Sequence, residues 1–148
     1  MRPRRIKPIK STARTRSSHL FVYGTLMRGH SLHKFLAHKA RADFVGKAKM
    51  RGRLYRLRRQ RYPGAKLASR PDGFVHGELY RLNDPQSTLK LIDRIEGCDE
   101  GLFRRRLVDV WTDGSKTRAW TYFYARPLDG AKHIPTGRYQ DRTASQAT

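Results

Sequence analysis

Acidic residues and cysteine are scarce in this 148-residue chain, which has 12 Asp and Glu residues against 33 Lys and Arg and a single cysteine, Cys98. One cysteine cannot form an internal disulfide, and it excludes a cysteine-based metal cluster. We therefore expect a reducing, cytoplasmic compartment. Long apolar runs are also missing: no segment approaches the roughly 18 residues of a membrane-spanning helix. The amino terminus lacks the apolar core of a secretory signal, so export is not expected.

The shortage of acidic residues leaves a formal net charge of +21. Residues 1–16 hold seven basic residues and no acidic one, and we predict a flexible basic arm over residues 1–18. Such a charge favours contact with polyanions or an anionic membrane. The sequence nevertheless has no zinc-finger, RNA-recognition or helix-turn-helix pattern. We therefore expect non-specific contact between the arm and polyanions, and no membrane partner.

Apolar residues make up 37% of the chain and are clustered rather than diluted. This length is enough for one domain with a buried core. We predict that the domain covers residues 19–139 and is followed by a polar tail over residues 140–148. The sequence gives no indication of the oligomeric state.

The pattern of apolar residues and turn signals predicts an α+β fold. Asn83 or Asp84 caps the clearest helix, which Gly97 closes, and Asp113-Gly114 joins a hairpin. The other predicted elements, in order, are a strand at 20–23, a short helix at 31–38, a strand or bent pair of strands at 42–57, a polar turn at 58–64 and a strand at 74–82; the chain is polar after Pro127. This order favours a small mixed β-barrel or a strongly curved sheet with flanking helices.

The segment Tyr23-Gly24-Thr25-Leu26 follows an apolar, β-prone run and ends it abruptly at a glycine. Backbone N–H groups at such a strand end lack ladder partners and point into the neighbouring cleft. They suit an anion or a polarised carbonyl group. Many buried strands also end at glycine, so this segment alone does not specify a function.

Glu96 lies in the last turn of the predicted helix, where the macrodipole disfavours a carboxylate. Apolar neighbours such as Ile95 and Phe103 would desolvate it and raise its pKa, as is usual for a general acid–base. The alternative is an exposed glutamate that forms an ion pair with Arg94 or Arg104.

Other polar residues have simpler interpretations. We expect His30, His33 and His38 to be surface histidines and predict no metal site, because no acidic or cysteine partner lies nearby. Glu78 is expected to pair with an arginine, and Asp93 to face solvent.

Several segments together resemble γ-glutamylcyclotransferase-like proteins, in particular the bacterial-type γ-glutamylamine cyclotransferase-like proteins. The resemblance covers about residues 19–139. It is carried, in order, by Val22-Tyr23-Gly24-Thr25-Leu26, Tyr62-Pro63-Gly64, Val75-His76-Gly77-Glu78-Leu79-Tyr80, Ile92-Asp93-Arg94-Ile95-Glu96-Gly97, Phe103-Arg104-Arg105, Ala119-Trp120-Thr121-Tyr122 and Ile134-Pro135-Thr136-Gly137-Arg138-Tyr139. The family's fold is a small mixed barrel flanked by helices.

The resemblance implies a cavity in which the Tyr23–Leu26 loop binds a γ-glutamyl head group and Glu96 acts as acid–base. The implied reaction is intramolecular: the substrate's α-amine attacks its own γ-carbonyl, releasing 5-oxoproline and an amine. Tyr23 and Tyr122 would line the pocket, and Arg28 would meet an anionic end of the substrate. No cofactor is implied.

This chain departs from the family pattern at two places. It has Phe103 where relatives often carry tyrosine, and Arg138-Tyr139 where relatives often carry an acidic residue and tryptophan. The alternative function is therefore a non-catalytic binding module of the same fold, whose basic surface binds nucleic acid or an acidic partner.

Overall fold

The computed structural model of the protein describes residues 17–67 and 73–140. The strands are β1 (His19–Val22), β2 (Asp43–Arg51), β3 (Arg53–Arg56), β4 (Pro63–Lys66), β5 (Phe74–Arg81), β6 (Phe103–Thr112), β7 (Ser115–Tyr124) and β8 (Lys132–Ile134). The helices are one α-helix, α1 (Pro85–Ile95), a π-helical turn (Phe35–Lys39) and a 3₁₀ turn (Cys98–Glu100).

Five strands close into a barrel in the order β1, β5, β2, β6, β7, as the predicted mixed barrel requires. The parallel contact that closes it pairs Leu20 of β1 with Trp120 of β7, whereas the other neighbours are antiparallel. Burial of β1 from Leu20 onward explains its continuous apolar sequence, since a strand covered on both faces does not alternate.

The bent strand pair predicted for residues 42–57 is β2 and β3. A register shift between Phe44 and Gly46 bends β2 against β5. Gly52 then separates β2 from β3, and a Cβ there would lie 2.9 Å from the Lys66 carbonyl oxygen. Backbone therefore approaches backbone at this position more closely than a side chain allows.

A second, three-stranded sheet in the order β4, β3, β8 packs beside the barrel. Two sequence predictions were wrong here. Tyr62-Pro63-Gly64, predicted as a turn, opens β4, and Pro63 is tolerated because β4 is an edge strand. The segment after Pro127, predicted to be polar and irregular, contributes β8 and the buried Tyr139, whose hydroxyl donates to the Arg61 carbonyl oxygen at 2.6 Å.

Helix α1 begins and ends as its sequence predicts. The Asp84 side chain caps it by accepting from the Ser87 N–H, and Leu89 and Ile92 lie on its buried face. Gly97 follows in the left-handed region with φ 71°, which ends the helix. Ile92 packs in the same core cluster as Tyr122 of β7. The helix therefore brings its carboxyl end, with Glu96, over the barrel.

The last two residues of the predicted arm belong to the fold. The Ser17 hydroxyl donates to the Arg118 carbonyl oxygen at 2.7 Å, and the Leu82 N–H donates to the Ser18 carbonyl oxygen at 2.7 Å. The rest of the predicted arm, residues 1–16, and residues 141–148 of the predicted tail lie outside the described residues. Within the part that is described, no helix is both long and apolar enough to cross a membrane.

Candidate active site

A cleft opens between the end of β1, the carboxyl end of α1 and the outer side of β7. It contains about 550 Å³ of space, including its open mouth. Of the seven site residues predicted from the sequence, all but Arg28 line this cleft: Tyr23, Gly24, Thr25, Leu26, Glu96 and Tyr122. The fold thus brings together a loop and a glutamate that are 70 residues apart in the sequence.

The loop after β1 is held by its carbonyl groups and leaves its N–H groups available. The Gly24 carbonyl oxygen accepts from the Met27 N–H at 3.0 Å, and the Thr25 carbonyl oxygen accepts from the Leu32 N–H at 2.8 Å. No acceptor in residues 17–67 or 73–140 takes the N–H of Gly24, Thr25 or Leu26. Because an unpaired N–H next to a cavity is a strong donor, this loop can bind an oxyanion or a carboxylate.

Gly24 also fits closely against the second sheet. A Cβ at this position would lie 2.9 Å from Pro63 Cδ. A larger residue would push the loop away from β4 and change the shape of the cleft. This requirement for glycine is visible only in the fold, since Pro63 is distant in sequence.

Glu96 follows the last residue of α1, and its N–H donates to the Ile92 carbonyl oxygen at 2.8 Å. Its half-buried side chain lies beside Ile95, Leu102 and Phe103 in the cleft lining. Burial raises the pKa of Glu96 to about 7, in the direction expected from the sequence. The alternative of an ion pair with Arg94 or Arg104 is wrong, because the described residues supply no cation or hydrogen-bond donor to this carboxylate.

Tyr23 forms the floor of the cleft and joins its walls. Its buried hydroxyl donates to the Tyr122 carbonyl oxygen at 2.6 Å and accepts from the Ala65 N–H at 3.1 Å. Burial, and then the negative charge of Glu96, raise the pKa of Tyr23. Tyr23 is therefore a neutral structural residue whose ring lies near the glutamate.

Tyr122 lines the cleft, but its hydroxyl is engaged on the side of α1. It donates to Asp93 Oδ1 at 2.6 Å, and Arg105 Nη1 lies 3.6 Å from the same oxygen. Burial and the bond to Asp93 raise the pKa of Tyr122. The expectation that Asp93 faces solvent was wrong: it links α1 to β6 and β7 and so fixes the helix that carries Glu96.

Arg28 does not line the cleft, contrary to the expectation that it meets the substrate. It forms an ion pair with Glu78, with 3.5 Å between Nε and Oε2, and its guanidinium lies 3.8 Å from the centre of the Phe44 ring. Glu78 also accepts from the Arg28 N–H at 2.9 Å and from the Tyr80 hydroxyl at 2.8 Å. The predicted pairing of Glu78 with an arginine is thus confirmed, and it anchors the chain just after the loop.

The expectation of surface histidines was wrong for His30 and His33 and right for His38. His33 is half-buried, and its Nδ1 lies 2.9 Å from the Leu26 carbonyl oxygen, so it supports the binding loop. His30 packs against Tyr139 at 5.5 Å between ring centres, whereas His38 is exposed as expected. No sequence spacing marks His33, because its contact depends on how the loop folds back. The described residues contain no cluster of three potential metal ligands.

Comparison with known proteins identifies relatives of this chain. A family model described as "Gamma-glutamyl cyclotransferase, AIG2-like" matches residues 20–141. The Escherichia coli K12 gamma-glutamylcyclotransferase family protein YtfP is 34% identical over 124 residues, which cover 83% of this chain and 96% of that protein. The gamma-L-glutamyl-butirosin B gamma-glutamyl cyclotransferase of Niallia circulans is 35% identical over 125 residues, 81% of this chain and 74% of that protein.

The fold has solved relatives as well. An AIG2-like protein from Mus musculus superposes with a TM-score of 0.66 at 26% identity, covering 83% of this chain and 88% of that one. The matches span nearly the whole barrel and include both the loop after β1 and the end of α1. The chain therefore belongs to the gamma-glutamyl cyclotransferase, AIG2-like family.

Proposed function

We propose that this protein is a cyclotransferase that converts a γ-glutamyl amine or γ-glutamyl peptide into 5-oxoproline and a free amine. The observation that carries the proposal is the carboxyl group of Glu96. It lies half-buried in the cleft, has no donor among the described residues, and has a pKa that burial raises to about 7. Near neutral pH such a group is present in both protonation states, as a group that first accepts and then donates a proton must be.

The reaction requires two proton transfers that one carboxyl group can perform. The Glu96 carboxylate removes a proton from the substrate's α-ammonium group, and the resulting amine attacks the γ-carbonyl carbon of the same molecule. A carbon–nitrogen bond forms and closes the five-membered ring. The protonated Glu96 then donates to the nitrogen of the leaving amine as its bond to the carbonyl carbon breaks. The ring nitrogen loses its second proton to the released amine, which leaves as an ammonium ion, so atoms and charge balance without a cofactor.

The loop of Gly24, Thr25 and Leu26 binds the glutamyl part of the substrate. Its N–H groups without acceptors are donors for the substrate's α-carboxylate or for the oxyanion that develops on the γ-carbonyl oxygen. Because nucleophile and electrophile belong to one molecule, holding the folded conformer contributes much of the rate, roughly 7–11 kcal/mol for well-oriented intramolecular reactions.

The substrate class is consistent with the family. The relative from Niallia circulans is named for action on gamma-L-glutamyl-butirosin B. The cleft that faces Glu96 is lined largely by apolar side chains, which include Leu32, Ile95 and Leu102. An amine leaving group fits this lining better than a second anionic group.

The test is 5-oxoproline release from a panel of γ-glutamyl amines and peptides, comparing wild type with Glu96→Gln. We expect the substitution to lower kcat at least about 100-fold, the size of a general acid–base contribution. Glu100→Gln makes the same chemical change at an exposed site four residues away and should leave kcat within twofold. Circular dichroism establishes that both variants are folded.

Two results would overturn the proposal. Undiminished release by Glu96→Gln would remove the acid–base assignment. Absence of release across the panel by folded wild-type protein would favour the alternative of a non-catalytic binding module.

A further inference from the structure

A second concavity lies on the outer face of the barrel, and none of its lining residues is shared with the cleft. It is formed by β2, β5, the end of β6 and the segment after β8. We refer to it as the outer groove and define it by Lys47, Lys49, His76, Trp111, Arg138 and Tyr139. Its position separates it from any chemistry at Glu96.

The alternation of β2 places its cations outside the barrel. Ala48 and Met50 are buried in the barrel core, so Lys47, Lys49 and Arg51 point to the opposite side. Lys49 is directly paired with His76 of β5 on one side and Trp111 of β6 on the other. The middle strand of the three, β2, thus presents a row of cations between rings on β5 and β6.

The cations of the outer groove are not neutralised within the described residues. Lys47, Lys49 and Arg138 form no ion pair there. Two carboxylates line the groove: Glu78, which is bound to Arg28, and Asp113, which lies at the exposed hairpin turn. Lys47, Lys49 and Arg138, which these two carboxylates do not neutralise, give the groove a positive potential. Burial, followed by the charges of Arg138 and Lys49, lowers the pKa of His76.

Aromatic rings are arranged among these charges. Trp111 and Phe74 meet edge to face at 6.2 Å between ring centres. Lys49 Nζ lies 4.4 Å from the centre of the Phe74 ring, and the Arg51 guanidinium carbon lies 5.4 Å from that of Trp111. Trp111 is half-buried and lines the groove, so the exposed part of its side chain faces the groove.

We propose that the outer groove binds single-stranded nucleic acid, with backbone phosphates on Lys47, Lys49 and Arg138 and a base stacked on Trp111. Cations that follow the strand and aromatic rings that stack on bases are the combination used for single strands. A paired duplex keeps its bases stacked inside and offers only phosphates. The exposed large apolar residues among those described, Phe44, Val45 and Leu67, lie outside the groove, so it has no apolar rim for insertion into lipid.

The first test measures binding of the full chain to a fluorescein-labelled 12-nucleotide oligo(U) by anisotropy over a salt series. Lys47→Gln/Lys49→Gln should weaken binding at least tenfold and reduce the slope of log K against log salt by about 1.4, because two phosphate contacts are lost. The matched control is Lys90→Gln/Arg94→Gln, the same change of charge on the exposed side of α1, which should remain within twofold of wild type.

The second test examines stacking at Trp111. Trp111→Ala should weaken oligo(U) binding about tenfold, and Trp111→Phe should restore most of it, since base–aromatic stacking needs a π-face rather than an indole. If Trp111→Ala does not fold, Trp111→Phe and Lys47→Gln/Lys49→Gln still test whether oligo(U) binds in the outer groove. A 12-base-pair duplex and inorganic polyphosphate of matched charge serve as competitors.

Three results would overturn the proposal. Equal weakening by the two double variants would assign binding to overall charge. Competition by the duplex or by polyphosphate as strong as that of the single strand would show that no base is stacked. Failure of wild-type protein to bind oligo(U) at low salt would exclude the site directly.

Discussion

Glu78 and Glu96 are both withdrawn from solvent next to the same loop, yet their surroundings are opposite. Glu78 accepts hydrogen bonds from the Arg28 N–H and the Tyr80 hydroxyl and forms an ion pair with the Arg28 side chain. Glu96 has no donor among the described residues, and burial raises its pKa to about 7. The first carboxylate holds the chain in place, whereas the second is free to exchange a proton.

Two kinds of buried carboxylate can be distinguished by whether hydrogen-bond donors surround them. Buried polar groups are almost always hydrogen-bonded, and a satisfied carboxylate stabilises the fold. A carboxylate that is desolvated without compensation costs stability, so its retention in a cleft points to a chemical role. Charge and burial alone do not distinguish a structural carboxylate from a chemically active one, but the number of hydrogen-bond donors around it does.

Removing the satisfied carboxylate should have the largest effect on stability. Glu78→Ala leaves the Arg28 N–H and the Tyr80 hydroxyl without their acceptor, and we expect the free energy of unfolding to fall by about 2–4 kcal/mol. Urea denaturation measures this change. Glu78→Gln keeps one acceptor oxygen and should recover part of the loss; equal loss in both variants would show that the hydrogen bonds do not stabilise the loop.

The unsatisfied carboxylate should instead govern the pH dependence of turnover. Glu96 must be ionised to accept the substrate's proton, and its pKa is about 7. The ionised fraction therefore falls about tenfold per pH unit below 7, and kcat/KM for 5-oxoproline release should fall about a hundredfold between pH 8 and pH 5. A flat profile over this range would contradict the role given to Glu96.

A smaller effect should appear in the stability of the protein itself. The pKa of Glu96 is raised from about 4.3 in an unfolded chain to about 7 in the fold, so its favourable contribution is complete below pH 4 and is lost as the pH rises through 7. Between pH 5 and pH 8, wild type should lose about 2 kcal/mol more unfolding free energy than Glu96→Gln. Urea denaturation at both values tests this, with Glu100→Gln expected to follow wild type.

Local patterns in the sequence predicted much of the fold. The cap at Asp84, the glycine at 97 and the hairpin at Asp113-Gly114 depend on neighbouring residues, and the structure confirms all three. The association of the Tyr23–Leu26 loop with Glu96 came from resemblance to a family. No spacing or periodicity specifies that these two segments share a cleft.

The missed features depend on pairings between distant segments. β8 is three residues long, and its pairing with β3 spans almost 80 residues, so no periodic pattern could reveal it. Asp93 carries a charge and lies on a helix flanked by basic residues, which favours an exposed position. Its true partner, the Tyr122 hydroxyl, is 29 residues away and becomes visible only when α1 packs on β7.

One hydroxyl group described above has a consequence for cooperativity. Tyr23 follows β1 of the barrel, donates to Tyr122 of β7 and accepts from Ala65 of β4, so its side chain joins the barrel and the three-stranded sheet at the cleft floor. If the small sheet opened by itself, the Ala65 N–H and the Tyr23 hydroxyl would lose the hydrogen bond between them. We therefore expect the two sheets to unfold as one cooperative unit, and a ligand bound in the cleft to protect the amide hydrogens of both from exchange with solvent.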